Sequence, residues 1–253
     1  MQLAGRRAIV TGGGSGIGAA AALKLASGGA AVAVLDINLA AAEATAAAIE
    51  DTGGRSLAIE TDVRDEAAVA HAIARCAAEF GGLDTVIANA GVMLMDDDAP
   101  AAELELSAWQ TSLDINLTGL FLTCKHGIRA LLDNGGGSVV ITSSPTGQLG
   151  CAPGFTAYSS SKSGSYGLMR ILAVDYVAKG IRVNAVLPGT VNSPLVTSLL
   201  SDPAKRAEFL GKIPMARAAD GSEIANVIAF LASDEASYVT GAAWYADGGL
   251  SAI

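Results

Sequence analysis

The chain has 253 residues, 51% of them hydrophobic, and a formal net charge of -9. That is enough apolar material for a large core within one domain, and the acidic balance leaves no basic patch to neutralise a nucleic-acid backbone. Cys76, Cys124 and Cys151 are too scattered for a disulfide framework or a zinc site, and the uncharged stretches 134–161 and 183–201 hold too much Gly, Ser, Asn and Pro to be membrane spans.

Met1-Gln2-Leu3-Ala4 runs almost directly into Arg6-Arg7, leaving no room for a secretory signal, so a cytoplasmic protein with reduced thiols is expected. The first strand-like run, Arg7–Thr11, leads into Thr11-Gly12-Gly13-Gly14-Ser15-Gly16-Ile17-Gly18 and a helical run over Gly16–Ser27. Glycines let a backbone approach a pyrophosphate closely, and the amides that open the helix face its charge. Gly12, Gly14, Ser15, Gly16, Ile17 and Gly18 are therefore expected to hold a dinucleotide, although the spacing is Thr-Gly-x-x-x-Gly-x-Gly and not G-x-G-x-x-G.

The second strand, Ala31–Asp36, ends on a carboxylate placed to accept from the adenosine ribose hydroxyls and to repel a 2′-phosphate. Ile37 follows it, the glycine turn is not basic, and Arg6 and Arg7 fall at the opposite end of the sheet. NAD(H) is predicted over NADP(H).

A helix over Ala40–Asp51, a strand over Ser56–Thr61, a helix over Glu66–Phe80 and a strand over Thr85–Asn89 come next. Asp62 and Val63, and then Asn89-Ala90-Gly91, fall at strand ends. Asp62 is placed to meet the adenine amino group and the Asn89 segment to lie along the adenosine, but Asp and Asn are equally ordinary turn residues. Met93, Leu94 and Met95 suit an adaptable apolar pocket or plain core packing. Asp96-Asp97-Asp98 before Pro100 reads as a solvated loop. His71 and His126 have no Cys or carboxylate at ligand spacing, so no metal is expected.

One helix is predicted over Ser107–Leu132 and a strand over Ser138–Ser143, beyond which Ser143 and Ser144 point to different sides. The next helix, Thr156–Lys179, carries Tyr158-Ser159-Ser160-Ser161-Lys162, a phenol and an ammonium on one face, about 6 Å apart along the axis. Lowering a phenol's pKa from about 10 to neutrality takes roughly 4 kcal/mol. A cation at about 4 Å in an effective dielectric of about 20 supplies that much, so Lys162, alone or with the charge of an oxidised nicotinamide, is expected to activate Tyr158. A strand over Arg182–Leu187, a proline-bearing segment 190–217 that suits a lid, a helix over Gly221–Ser233 and a strand over Ala243–Ala246 complete the chain. The alternation predicts an α/β fold: one domain over 1–253, a Rossmann-type doubly wound sheet of seven parallel strands, with its crevice at the strands' carboxyl ends.

The ordered set of glycine turn, Asn89-Ala90-Gly91 and Tyr158-x-x-x-Lys162 resembles the short-chain dehydrogenase/reductase family over essentially the whole length. The resemblance implies that Tyr158 is the acid/base, that Lys162 also binds the nicotinamide ribose, and that Asn116 holds a proton-relay water. It implies that Ser144, the second Ser of Ser143-Ser144-Pro145-Thr146-Gly147, binds the substrate oxygen, and that Pro188, Gly189, Val191 and Ser193 lie beside the nicotinamide. Pro145 is unusual at its position and the spacing from Ser144 to Tyr158 is one residue longer than the commonest, so a bulged loop is expected. Thr146, Gln148 and Cys151, with Met93, Pro145, Leu195 and Val196, are candidates for the substrate pocket, which suits compact ketones or secondary alcohols. A homotetramer is expected by the same resemblance. The expected activity is NAD(H)-dependent interconversion of a secondary alcohol and its carbonyl. An NAD-using epimerase or dehydratase and a non-catalytic NAD-sensing regulator are the alternatives on this fold.

Overall fold

Short runs of Val, Ile and Ala pair side by side in a computed structural model that describes residues 3–197, 201 and 203–252. The strands are β1 (Arg7–Thr11), β2 (Ala31–Asp36), β3 (Ser56–Glu60), β4 (Thr85–Ala88), β5 (Gly137–Thr142), β6 (Ile181–Pro188) and β7 (Ala243–Ala246). They form one sheet in the order β3-β2-β1-β4-β5-β6-β7, and every pair is parallel. Parallel strands need crossover connections, and the helices that supply them cover both faces.

On one face Ile9, Leu35, Val86 and Ile141 pack under α3 (Glu66–Phe80), α5 (Gly119–Asp133) and α6 (Thr156–Tyr176). On the other, Val10, Val34, Ile87 and Val140 pack under α1 (Gly16–Ser27), α2 (Leu39–Glu50) and α8 (Gly221–Ala232). Neighbouring residues of one strand thus enter different cores. The chain leaves β1 toward β2 and β3, then returns to β4 on the other side of β1. This reversal opens a crevice at the carboxyl ends of the strands.

Several elements match the sequence reading end to end, among them β1, β2, β7, α1 and α3. The helix expected over Ser107–Leu132 does not run through. It divides into α4 (Leu106–Leu113), a π-helical turn at Asp114–Thr118, and α5. A π turn inserts one residue into the helical repeat and rotates the helix beyond it, and here it turns Asn116 into the interior, 1% exposed. The segment 190–217 holds a 3₁₀ turn at Pro194–Val196 and α7 (Pro203–Gly211), while part of the expected lid, residues 198–200 and 202, lies outside the described residues. Among the described residues no helix is long and apolar enough to cross a membrane.

Candidate active site

The glycine turn is tied to its neighbours on two sides. The Gly13 amide donates to the Leu35 carbonyl (3.2 Å) and the Gly14 amide to Asp36 Oδ2 (2.9 Å), which fastens the turn to the end of β2. Asn89 Nδ2 donates to the Thr11 and Gly12 carbonyls (3.2 and 3.3 Å), and Thr11 Oγ1 accepts from the amides of Asn89 and Ala90. Asn89 therefore spends its side chain on holding the turn against β4. Gly12 and Gly16, at φ of 63° and 53°, take a left-handed backbone that glycine adopts without strain. Ser15 is the N-cap of α1 but makes no side-chain bond to the first turn, and it lines the cleft with Gly12, Gly16 and Ile17.

Gly14 and Gly18, also expected at the dinucleotide, have structural tasks within the turn. The Gly14 amide is committed to Asp36. A Cβ on Gly18 would sit 2.0 Å from the Gly12 carbonyl oxygen and 2.7 Å from Asn89 Nδ2, so this glycine permits the close approach of α1 to the turn. Gly18→Ala is expected to cost about 2 kcal/mol or more through this backbone overlap. A thermal melt followed by circular dichroism should show a loss of at least about 5 °C.

The cleft encloses about 670 Å³ and runs along the carboxyl ends of the sheet. At one end stand Asp36, Ile37, Asp62, Val63 and Arg64. Asp36 Oδ1 accepts from the Asn38 amide (2.9 Å), so both carboxylate oxygens are held in place. Arg64 went unnoticed in the sequence as a cleft residue. Its guanidinium is engaged by Asp62 (Nη2 to Oδ2, 2.6 Å), and this bond holds the Asp62 carboxyl below its usual pKa. Arg7, by contrast, grips Asp84 and Asn134 at the other end of the sheet.

Ala90, Gly91, Pro188, Gly189 and Val191 line the middle of the cleft, and Ser193 lies over the turn, where a Cβ on Gly16 would come within 3.2 Å of its own. Gly189 is pinned to β7 through the Ala246 carbonyl (3.1 Å), and Val191 bridges to Ala219.

At the inner end α6 delivers Tyr158 and Lys162, 9% and 5% exposed. Lys162 Nζ donates to the Thr142 carbonyl (3.0 Å) at the end of β5. Burial pushes its pKa down to about 8. Burial also raises the Tyr158 phenol above its ordinary value, and a hydrogen bond with Ser144 opposes that rise. The ammonium sits 5.7 Å from the centre of the phenol ring.

Ser143 and Ser144 divide as their adjacency predicts. Ser143 Oγ turns onto α6, bonding Ser165 Oγ (2.8 Å) and the Lys162 carbonyl (3.3 Å). Ser144 faces the phenol and accepts from Thr146 Oγ1 (3.1 Å). Pro145 begins a 3₁₀ turn, Pro145–Gly147, a place where its missing amide costs nothing. A Cβ on Gly147 would fall 2.6 Å from the Lys162 carbonyl carbon, so this glycine lets the turn close onto α6. The turn also carries Gln148 out of the cleft, where its Oε1 accepts from the Tyr245 hydroxyl (2.6 Å). Gln148 is thus removed from the expected substrate pocket. Met93, Pro145, Thr146, Cys151, Leu195 and Val196 remain in it, joined by Phe209 and Leu250, which the sequence did not single out.

Asn116 lies behind the pair and not on the cleft wall. Its Oδ1 accepts from the Val92 amide (2.7 Å), and its Nδ2 donates to the Val92 carbonyl (2.9 Å) and to Ser161 Oγ (3.1 Å). Asp98 is not a solvated loop residue: Oδ1 accepts from the Ala157 amide (3.0 Å) and Oδ2 from the Tyr158 amide (2.9 Å). The clue available in the sequence is that Phe155, just before α6, has no side chain able to cap it. Among the described residues no group of three or more His, Cys, Asp or Glu is placed to hold a metal ion.

A family model described as enoyl-(acyl carrier protein) reductase matches residues 12–251. The cis-4-hydroxycyclohexanecarboxylate dehydrogenase of Sinomonas cyclohexanicum is 46% identical over 99% of this chain and 98% of its own length. A 2,5-dichloro-2,5-cyclohexadiene-1,4-diol dehydrogenase of Sphingobium indicum is 41% identical over 99% of each chain. Among solved structures, levodione reductase is similar with a TM-score of 0.94 at 35% identity, covering 99% of each chain. A Beutenbergia cavernae protein described as an NAD(P)-dependent gluconate 5-dehydrogenase, with NADP bound at low occupancy, has a TM-score of 0.93 at 35% identity, covering 100% of this chain and 99% of that one.

Proposed function

The chain belongs to the short-chain dehydrogenase/reductase family, and from that premise we propose that it is an NAD(H)-dependent dehydrogenase of secondary alcohols carried on six-membered carbon rings. The observation that carries the reading is the meeting of Ser144, Tyr158 and Lys162 at the inner end of a cleft whose outer end is Asp36. The residues present fit a dinucleotide: a glycine-walled turn, a helix N-terminus without a side-chain cap, and a fixed carboxylate where a ribose would lie.

When bound, the nicotinamide supplies the hydride acceptor or donor. Tyr158 removes the alcohol proton in oxidation and returns it in reduction. Ser144 holds the substrate oxygen against the phenol, a task for which its bond with Thr146 fixes its position. Lys162 adds positive charge beside the phenol and hydrogen-bonds the nicotinamide ribose. Its charge, alone or with that of an oxidised nicotinamide when bound, would favour the ionised phenol. Asn116 is assigned the relay water behind Lys162, and Gly91 lies close to both, since an added Cβ there would come within 3.1 Å of Asn116 Oδ1 and 3.4 Å of Lys162 Nζ. Val191 and Ser193, which line the cleft, would hold the nicotinamide carboxamide.

Asp36 supports NAD over NADP, and Arg64 does not reverse the balance because Asp62 already occupies its guanidinium. The ring-alcohol substrate is supported by the names of the two relatives above and by the apolar walls that Met93, Leu195, Val196 and Phe209 give the inner pocket. A homotetramer goes with this reading, since Trp244 and Tyr245 on edge strand β7 stand exposed as a face between copies would.

The test is a titration of both cofactors followed by NADH formation with cyclohexanols, cyclohexanediols, polyols and steroids. NADH should bind at least about tenfold more tightly than NADPH, and cyclic secondary alcohols should be oxidised fastest. Tighter NADPH binding would overturn the cofactor assignment. Conversion of substrate without net nicotinamide redox change would overturn the reaction.

A further inference from the structure

The helix that carries Tyr158 starts without a cap of its own. The N-cap position of α6 is Phe155, which offers no side-chain acceptor to the first-turn amides. Those amides are claimed from 59 and 60 residues away: Asp98 receives the Ala157 amide on one carboxylate oxygen and the Tyr158 amide on the other, at 3.0 and 2.9 Å. A carboxylate accepting two amides at a helix N-terminus makes charge-assisted bonds and meets the positive end of the helix dipole.

Asp98 also belongs to the loop that leaves β4 and forms a wall of the substrate pocket. The loop is gripped at its start, where the Asn116 side chain takes both backbone groups of Val92, and at its end, where Asp98 grips α6. Between the two grips Met93 faces the cleft. One residue therefore sets two things together, the height of Tyr158 at the mouth of its helix and the position of the pocket wall opposite.

We infer that Asp98 is a positioning residue for the reaction, a clasp from the pocket loop to the catalytic helix that fixes the Tyr158 phenol against the substrate oxygen. The kinetic part of this inference rests on the dehydrogenase activity proposed above. Its structural part does not.

Two measurements on the purified full-length chain separate the cases. In Asp98→Ala, hydrogen exchange at the amides of residues 157 and 158 should quicken by at least about tenfold while the interior of α6 stays protected. This readout needs no substrate, so it decides the clasp even if no alcohol is turned over. With the best alcohol from the screen, kcat should fall at least about tenfold and KM for the alcohol should rise, while the Kd for NADH stays within about twofold. Asp98→Asn keeps one acceptor oxygen and should recover a substantial part of kcat, a rescue that a generally loosened protein would not show. The inference fails if exchange at 157 and 158 is unchanged, if Asp98→Ala keeps kcat within about twofold of the wild type, or if cofactor affinity falls as far as kcat.

Discussion

Tyr158→Phe is expected to lower kcat for alcohol oxidation by about 10³-fold or more, with the Kd for NADH held within about twofold. The substitution removes one oxygen from a ring that is 9% exposed and already packed, so the ring's contacts with α6 and the cleft persist. The group that disappears is the proton acceptor. Ser144 loses its bond with the phenol and keeps the one from Thr146, which costs about 1 kcal/mol of stability and leaves the cleft open to cofactor. The pH profile supplies a second readout. Burial raises the phenol pKa, so oxidation, which needs the ionised phenol, should rise with pH in the wild type, and the rise should vanish in the Phe variant. Residual turnover within about tenfold of the wild type, or loss of NADH binding in step with turnover, would remove Tyr158 from the role of acid/base.

Much of this site was legible in the sequence because its parts rest on short-range rules. The glycine turn, Asp36 and the Tyr158/Lys162 pair are set by strand ends and helical spacing, and the structure gathers them in one cleft. The features that were not legible depend on where the chain meets itself far along its length. Gly18 looks like one more phosphate-binding glycine until the Gly12 carbonyl is found beside it. Gln148 leaves the pocket because the Pro145–Gly147 turn carries it toward Tyr245. The π turn at Asp114–Thr118 breaks no hydrophobic period that a single sequence displays, yet it aims Asn116. Asp98 sits in an acidic run that composition assigns to solvent, and its long-range partners lie at the bare N-terminus of a helix 60 residues away. The electrostatic expectation for Lys162 assumed a cation about 4 Å from the phenol. The structure buries both groups, and burial, which helical spacing does not display, is the largest influence on each of them.

That burial leads to the second large expectation, a variant that gains stability as it loses function. Among the described residues Lys162 has no ion-pair partner, and its ammonium donates to the Thr142 carbonyl at 3.0 Å. A pKa pushed from 10.5 down to about 8 by burial corresponds to a penalty on the order of 3 kcal/mol for carrying the charge in the folded chain. The folded pKa lies below the unfolded one, so the penalty is complete below about pH 8. From there to the unfolded pKa near 10.5 the unfolded chain binds the extra proton, and stability rises with pH as the penalty is relieved. Lys162→Met keeps an unbranched side chain only one heavy atom shorter and discards the charge, at the loss of about 1 kcal/mol for the Thr142 hydrogen bond. The Met variant should therefore melt about 5 °C above the wild type at pH 7, and the gap should narrow toward pH 10. Turnover should fall at least about 10²-fold, and NADH affinity should weaken with it, because the ribose loses its donor and the phenol its nearby charge. A Met variant that melts below the wild type at pH 7 would mean that the ammonium is compensated by more than the Thr142 carbonyl. One that is more stable yet binds NADH as tightly as before would leave Lys162 without its ribose contact.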